Sequence, residues 1–552
     1  MTSPAVRIFR SDHNCLLLLI PLTLLLVGLD LGGRDLWEPD ETRTGEVVRE
    51  IVSSGSWAVL HDNGQPYLEK PPLYFWLAAA VSRAAGGVSE LTVRLPASLA
   101  ALLGVVSLFY LGRDLFGRRV GALAGLILAT SWKYFMEARW GRPDMLWTLF
   151  LTFACLAFHR AYRAGGARGW LLGFYLAMGL AILTKGPAGL VLPLLAAGLF
   201  LVAIRDPGFL RRAGLAWGLP VAALPAALWL AAYRATSGEA FPMVHALGRL
   251  ATRFTEGVHH AHSFAHTLTS LAIDFMPWVL FLPGAAWLTA PWRGARSDHE
   301  NAYLYSWIAV IFCLFALSVE KRGIYLLPLL PFLALLLARF WDLALMGWQP
   351  SPVERPIAWA LGAGTILTGA TATYVLGRAR HQAADLLFPG ALLAAAVLLT
   401  LVVTLAAHRR LGGGPAFSAF ASGLVACYLV VIVQVLPALD RHKSARPFAA
   451  RIVSAIGAAP LGIYPDYRAA YAYYTGRLLR VVPDREALQE FLRSAPVSYC
   501  LMEEDVYEVE RRMLGTDLQV VDRDTVGHRV MILVAGGRGT APPAAGDEGG
   551  VP

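Results

Sequence analysis

Residues 15–31 read CLLLLIPLTLLLVGLDL and are followed at 35–43 by DLWEPDETR. The first stretch is apolar and is long enough to cross a bilayer as a helix, which takes about 20 residues with a range of roughly 17–25. No small-residue cleavage pattern follows it, so we interpret it as an uncleaved anchor and not as a signal peptide. A span that opens directly onto a charged stretch predicts an integral membrane protein with polar chemistry at the membrane surface.

The rest of the chain repeats this apolar pattern. Of its 552 residues, 56% are hydrophobic and 16% are charged, whereas soluble domains carry about 25% charged residues. We therefore expect a membrane all-α fold of about thirteen spans. They lie near 14–31, 91–112, 119–136, 143–160, 169–184, 187–204, 213–233, 271–291, 302–319, 323–341, 356–377, 387–407 and 415–437.

The charged residues between the spans alternate in character. If the N-terminus is cytoplasmic, every second link is rich in arginine, as the positive-inside rule requires. The basic residues behind the +9 net charge therefore set the orientation of the spans and indicate no nucleic-acid partner. The opposite links mix acids, bases and histidines, and charged groups near membrane depth are usually functional. We expect the active site on the outer face, with the C-terminal domain also outside the cytoplasm.

Three regions follow from these patterns. Residues 1–437 form the membrane domain, which includes an outer-face loop at 32–90 with amphipathic helices at 40–53 and 71–85. Residues 438–537 alternate β-like runs with helical stretches and predict a small α/β domain. Its strands are expected at 461–464, 497–501 and 530–534, and its helices at 446–456, 485–494 and 505–514. Residues 538–552 are rich in Gly, Pro and Ala, and we expect a disordered tail there.

The outer loop carries two charged motifs. Asp40 and Arg43 are three residues apart on one helix face; they suit a general base and a phosphate-binding cation. The alternative is that Asp40 is an N-cap in an ordinary ion pair. Glu69 and Lys70 precede two prolines, and they suit a metal ligand and a phosphate contact. A solvated ion pair is equally compatible with that pattern.

Further candidates lie between later spans. Lys185 separates two apolar runs, and its alternative is a lysine that snorkels to the headgroups. Asp144 begins the fourth span, and its alternative is an N-cap. Five histidines lie between 245 and 266, which makes a metal site conceivable, although their spacing matches no standard zinc signature. No glycine-rich phosphate loop is found, so we expect no nucleotide cofactor and no nucleotide-driven transporter.

Four stretches taken in order carry a family resemblance. They are DLWEPDETR at 35–43, YLEKPPLYFW at 67–76, LTKGP at 183–187 and KRGIYLLP at 321–328. Together they resemble the bacterial branch of the dolichyl-phosphate-mannose protein mannosyltransferase family, and within it the transferases that attach aminoarabinose to lipid A. The resemblance covers the membrane part and the outer loop well, and the C-terminal domain in outline.

That resemblance implies a GT-C fold. It also implies an inverting transfer of sugar from a polyprenyl phosphate donor on the outer face of the bacterial inner membrane. Asp40 matches the catalytic carboxylate and Asp144 a second acidic position. The positions that hold the donor phosphate or line its pocket are Arg43, Lys70, Lys185 and Tyr325. A divalent metal ion would be bound by Glu69 and by His245, although the Glu that precedes this histidine in the lipid A enzymes is absent.

Two other classes of membrane protein are alternatives to this transferase family. A lipid-linked sugar flippase or exporter is expected to place its charges along a transmembrane path and not in one outer loop. An O-antigen ligase or polymerase usually has its large loop later in the chain. The acceptor is left open by the sequence: lipid A, a protein hydroxyl or another envelope glycan would each fit, with membrane lipids as the surroundings.

Overall fold

The structure is a computed structural model that describes residues 9, 11–242, 264–289, 299–319, 322–345, 355–364, 384–514 and 518–536. Up to residue 435 it is almost entirely helical. The longer helices of this part are Asp12–Gly28, Glu90–Phe116, Arg118–Ala129, Asp144–Arg163, Arg168–Lys185, Ala188–Ala203, Leu215–Ser237, Phe264–Asp274, His299–Leu317, Leu330–Leu345, Leu387–Leu411 and Gly413–Val430. Shorter pieces are Asp40–Ser54, Leu73–Ala84, Trp132–Ala138, Leu282–Thr289 and the 3-10 turns Pro207–Arg211, Trp278–Phe281 and Gly323–Leu329.

The multi-span architecture predicted from hydropathy is confirmed, but the number of spans is not. Among the described residues, seven helical stretches are long and apolar enough to cross a membrane, or eight if one bent pair is a single span. The helices Asp12–Gly28 and Ala188–Ala203 are apolar but shorter. Most of the span predicted at 356–377 lies outside the described residues.

Two predicted spans are not continuous helices. The span at 119–136 is two helices that break at Thr130 and Ser131. This break is buried, and its backbone carbonyl at Thr130 accepts hydrogen bonds from Tyr428 and Trp278. The span at 271–291 is bent by 108° between Phe264–Asp274 and Trp278–Leu288. Apolar composition extends across both breaks, so hydropathy alone does not locate them.

The chain folds into two compact units. The first, here the helical unit, comprises Met1–Leu31, Leu68–Ala78 and Arg94–Val435. The second, here the α/β unit, comprises Gly32–Tyr67, Ala79–Val93 and Leu436–Pro552. Most of the outer loop at 32–90 thus groups with the C-terminal residues, although the domain boundaries drawn from the sequence stay a prediction.

The α/β unit is built on a five-stranded mixed sheet. Strands β1 (His61–Asp62) and β2 (Gln65–Pro66) form a separate hairpin. The strands of the main sheet are β3 (Leu461–Ile463), β4 (Arg480–Val481), β5 (Ser498–Glu503), β6 (Gln519–Val526) and β7 (Arg529–Gly536). Their order in the sheet is β4-β3-β5-β7-β6. Strand β3 is parallel to both β4 and β5, whereas β7 is antiparallel to β5 and β6. The helices of the C-terminal part are Leu436–Lys443, Arg446–Ile456, Ala469–Thr475, Arg485–Arg493 and Glu504–Leu514.

Both faces of this sheet are covered, and β5 shows why. Its side chains alternate with a period of two, so Tyr499 and Leu501 join one apolar core while Cys500 and Met502 join the other. The first core also holds Phe448, from helix Arg446–Ile456. A strand buried on both faces has a continuous apolar run, which is the pattern that predicted it.

The residues after the first span are hydrogen-bonded to C-terminal residues of the same unit. The backbone N–H of Asp35 and the Trp37 indole Nε1 both donate to the Asp440 carboxylate, the latter at 2.6 Å. The backbone N–H of Leu36 donates to the Tyr474 hydroxyl at 2.7 Å. These bonds join positions about 400 residues apart in sequence, so the start of helix Asp40–Ser54 is fixed by the C-terminal part of the chain.

Candidate active site

Asp144 and Lys185 meet at one end of two consecutive helices. Asp144 is the first residue of Asp144–Arg163, and Lys185 is the last residue of Arg168–Lys185. The link at 164–167 is short, so the helices run antiparallel and these two termini are neighbours. Lys185 Nζ donates to Asp144 Oδ1. Each charge also suits its own helix dipole, the acid at an N-terminus and the base at a C-terminus.

Two aromatic rings complete the surroundings of this lysine. Lys185 Nζ lies 4.9 Å from the centroid of the Trp147 ring and 5.1 Å from that of Tyr325. Both distances are in the range of a cation–π contact. Tyr325 belongs to the turn Gly323–Leu329 and packs on Phe315. The structure therefore brings together three predicted site residues and adds a buried tryptophan.

Further charges surround Asp144. Lys70, half-buried, and Arg142 both act electrostatically on the Asp144 carboxylate. Glu69, beside Lys70, is exposed. Asp144 is not the N-cap of its helix, because that position is Pro143, and Lys185 is bonded to Asp144.

A second group of charges near this site was missed by the sequence analysis. Lys133 Nζ lies 3.4 Å from Glu137 Oε1 and 3.8 Å from Asp274 Oδ1. Arg142 Nη1 lies 3.6 Å from the same Glu137 oxygen. Glu137 Oε2 and Asp274 Oδ2 are buried and accept no hydrogen bond from any described residue. Lys133 and Glu137, four residues apart at the edge of an apolar run, are the signal that could have revealed this group.

The turn that carries Tyr325 approaches this group closely. A Cβ atom on Gly323 would come within 2.7 Å of Asp274 Oδ2, which is closer than carbon and oxygen atoms pack. Only glycine leaves the carboxylate its present place. The turn Gly323–Leu329 thus contacts Lys185 through Tyr325 and approaches Asp274 through Gly323.

Asp40 and Arg43 belong to the α/β unit, whereas Asp144, Lys185, Lys70 and Tyr325 belong to the helical unit. Asp40 is the first residue of helix Asp40–Ser54 and is half-buried. The N-cap position is Pro39, which forms no side-chain cap, so the N-cap alternative for Asp40 is wrong. Arg43 Nε lies 3.5 Å from Asp62 Oδ2.

The residues around Asp40 are tightly bonded. The Glu41 carboxylate is fully buried and accepts from Arg34 Nη1 at 2.6 Å. The Arg468 guanidinium lies 3.3 Å from Glu38 Oε2. Burial raises the pKa of Glu38, although Arg468 works against that shift. These ion pairs orient the first turn of the helix, on which Asp40 lies.

A metal centre is not formed by the residues that the structure describes. No group of three or more His, Cys, Asp or Glu side chains with metal-binding geometry occurs among them. Glu69 is described and exposed, whereas His245 lies outside the described residues. A single carboxylate does not make a site, because structural and catalytic metal sites need three or four protein ligands.

Comparisons with known proteins agree with the resemblance. Residues 69–231 match the family model described as dolichyl-phosphate-mannose-protein mannosyltransferase. The chain is 32% identical over 327 residues to the undecaprenyl phosphate-alpha-4-amino-4-deoxy-L-arabinose arabinosyl transferase of Edwardsiella ictaluri, with 58% of each chain covered. It is 31% identical over 326 residues to the same-named protein of Aeromonas salmonicida, again with 58% of each covered. The matched regions thus span about 58% of the length of these relatives.

The fold has a solved counterpart. The crystal structure of ArnT from Cupriavidus metallidurans bound to undecaprenyl phosphate superposes with a TM-score of 0.77 at 24% identity, covering 95% of this chain and 98% of that one. At this identity the likeness concerns the fold. The chain therefore has a GT-C fold, and its residues 69–231 are similar to the dolichyl-phosphate-mannose-protein mannosyltransferase family.

Proposed function

We propose that this protein is an integral membrane glycosyltransferase that moves a sugar from a polyprenyl phosphate donor to an envelope acceptor, with inversion. The observation that carries the proposal is the cluster of Lys185, Asp144 and Tyr325, with Lys70 acting on the same carboxylate. Cations fixed among aromatic rings at a helix end suit a lipid-linked phosphate, and a nucleotide-binding loop is not needed for such a donor.

In this reaction the cations would hold the charge that develops on the phosphate. The bond between the sugar's anomeric carbon and the phosphate oxygen breaks, and its electron pair leaves with that oxygen. Lys185 has three N–H donors, and its bond to Asp144 uses one of them. The remaining donors and Lys70 would stabilise the departing phosphate, because preorganised donors in a site with little water are effective at this task.

Asp40 would be the general base. The acceptor oxygen attacks the anomeric carbon from the face opposite the phosphate, which inverts its configuration. As the new bond forms, the hydroxyl proton passes to the Asp40 carboxylate. Arg43 would add a further cation for the donor phosphate, and its partner Asp62 would orient the guanidinium.

The named relatives suggest the substrates. Their printed name specifies an aminoarabinose on undecaprenyl phosphate, and the solved counterpart holds undecaprenyl phosphate itself. We therefore propose an undecaprenyl-phosphate-linked aminopentose as the first donor to test and lipid A as the first acceptor. Protein and other glycan acceptors remain to be compared with it.

Metal dependence stays a proposal based on Glu69 and His245. The described residues do not fit a metal ion by themselves, so no step of the mechanism above depends on one. Metal analysis of the purified protein and of its Glu69→Gln variant tests this proposal directly. Equal metal content in the two would remove Glu69 as a ligand.

The proposed orientation puts the donor site and the α/β unit on the extracytoplasmic face of the bacterial inner membrane. It follows from the arginine-rich links that alternate along the chain. A reporter that is active only outside the cytoplasm, fused after Val534, should be active. Activity of a cytoplasm-dependent reporter at that position would overturn the orientation.

The enzymatic proposal is tested with purified protein and a labelled undecaprenyl-phosphate aminopentose. Transfer to lipid A with release of undecaprenyl phosphate is expected for the wild type. Asp40→Asn should lower turnover by about 10²–10⁴-fold, since an amide cannot accept the proton, with thermal stability unchanged. Turnover within about threefold of wild type, well short of the general-base range, would exclude Asp40 as the base.

A further inference from the structure

A groove in the α/β unit is separate from the residues proposed for catalysis and donor binding. It has a volume of about 480 Å³, which is within the usual range for small-molecule sites of roughly 300–1,000 Å³. Its polar lining is Arg49, Ser53, Arg446, Tyr473 and Tyr474, with apolar side chains such as Val52 and Val88 beside them. A groove with two guanidinium groups at its surface and apolar walls resembles a headgroup site more than a protein interface.

Both arginines are paired with carboxylates that are more buried than the arginines themselves. Arg49 donates from Nε and Nη2 to Glu46, whose side chain is fully buried. Arg446 donates from Nη1 to Asp35 at 2.8 Å and from Nη2 to Glu90. These acids are 14% and 11% exposed at the side chain, against 51% for Arg446. The carboxylates therefore lie on the protein side and the guanidiniums on the side of the groove.

Each arginine keeps donors for a ligand. A guanidinium has five N–H donors in a rigid fork, and the bonds above use two of them on Arg49 and two on Arg446. Such oriented forks recognise phosphate with parallel, charge-assisted hydrogen bonds. A ring also supports Arg446, whose guanidinium carbon lies 5.0 Å from the centre of Tyr474.

The sequence puts this groove near the membrane surface. Val88 lies two residues before Glu90, where the span Glu90–Phe116 begins. Tyrosine and arginine are side chains that favour the headgroup level of a bilayer. A ligand at this level that needs both phosphate contacts and apolar walls is a lipid.

We propose that the groove formed by Arg49, Arg446, Tyr473 and Tyr474 binds the phosphate-bearing headgroup of a membrane lipid. Two sources share this chemistry: an anionic phospholipid and a phosphorylated glycolipid of the envelope. This site lies outside the proposed catalytic residues, and its existence does not depend on the proposed sugar transfer.

The test measures binding to the purified full-length protein in neutral detergent, with three fluorescent short-chain lipids. These are phosphatidic acid, which has phosphate and no sugar; lipid A, which has both; and glucosyl diacylglycerol, which has sugar and no phosphate. We expect at least one phosphate-bearing lipid to bind tighter than glucosyl diacylglycerol. Binding of both indicates any phosphorylated headgroup, and binding of lipid A alone indicates the glycolipid. The tighter binding should weaken with added salt.

Variants assign the binding to the groove. Arg49→Gln and Arg446→Gln should each weaken phosphate-lipid binding by about tenfold or more, since each removes a charge-assisted contact. Arg451→Gln is the matched control: Arg451 is on the same helix as Arg446 and is also paired with two carboxylates, Asp522 and Asp524, at 46% side-chain exposure. It does not line the groove, so its substitution should change nothing.

Two results would overturn the proposal. One is equal binding of the phosphate-free lipid, and the other is unchanged binding in both glutamine variants. If Arg446→Gln lowers thermal stability, Arg446→Lys retains the charge and Arg49→Gln still provides the decisive measurement. Because no sugar transfer is measured, failure in this assay leaves the proposed glycosyltransferase activity untouched.

Discussion

Substitution of Lys185 by an uncharged residue distinguishes a catalytic role of this lysine from a structural one. In Lys185→Met, the Nζ that bonds Asp144 Oδ1 is replaced by an apolar chain of similar length. If Lys185 holds the donor phosphate, the loss of one charge-assisted contact is worth about 1.5–3 kcal/mol. That free energy corresponds to a decrease in kcat/KM of roughly 10–150-fold.

If Lys185 has a structural role instead, the substitution should change the folding stability of the protein. Asp144 has a side chain that is only 9% exposed, so without Lys185 its charge would be buried and poorly paired. Breaking such a pair costs about 3–5 kcal/mol of folding stability, whereas removing both partners is often neutral. The double variant Asp144→Asn with Lys185→Met should therefore recover much of the stability lost in Lys185→Met.

The assay combines both readouts on the same preparations. Thermal unfolding in detergent measures stability, and transfer from the labelled donor measures kcat/KM. We expect the double variant to recover much of the stability lost in Lys185→Met, yet to transfer no faster than Lys185→Met. Arg163→Met serves as the control, since Arg163 ends the helix that Asp144 begins and its pair with Glu300 is wide, at 3.8 Å. Recovery of transfer together with stability in the double variant would refute a phosphate-binding role for Lys185.

Four other substitutions test neighbouring parts of the structure. Lys70→Ala should lower kcat/KM by roughly 10–150-fold through the same loss of a charged contact, measured with the labelled donor. Glu137→Gln should lower the free energy of unfolding, because it removes the charge that pairs through Oε1 with Lys133 and Arg142 and breaking a buried ion pair is destabilising; thermal unfolding measures this, and unchanged or higher stability would contradict it. Glu69→Gln should reduce bound metal, measured by elemental analysis, if that glutamate is a ligand. The Arg485 hydrogen bond holds the pKa of Glu510 below its usual 4.5. The stabilisation that this bond gives the folded state is therefore complete above pH 4.5 and is lost as the pH falls through the lower pKa of Glu510 in the folded protein. The difference in stability between wild type and Glu510→Gln should therefore shrink in acid.

The C-terminal elements show what local pattern can predict. The helix predicted at 446–456 is found as Arg446–Ile456, and those predicted at 485–494 and 505–514 are found as Arg485–Arg493 and Glu504–Leu514. Each has an apolar stripe at helical spacing, and this pattern is fixed by the residues of the helix itself. The edge strand β6, Gln519–Val526, was missed because its residues are mostly polar and alternate weakly.

The membrane part has features that local sequence pattern does not predict. Thr130 and Ser131 are ordinary residues in a long apolar run, and the helix break there depends on Tyr428 and Trp278, which are distant in sequence. The meeting of Lys133 with Asp274 depends on the same distant packing. Spacing cannot reveal such partners, so the sequence predicts roles for Asp144 and Lys185 but not for the charged group around Glu137.

The motif at 35–43 has two kinds of residue that its sequence does not distinguish. Asp35, Trp37 and Glu38 bond residues near the C-terminus of the chain, and Glu41 is buried against Arg34. Their substitution would lower activity by displacing the helix that begins at Asp40, even if none of them touches a substrate. Loss of activity at a motif residue is therefore evidence of catalysis only when stability is retained, which we expect for Asp40→Asn and not for a change at Glu41.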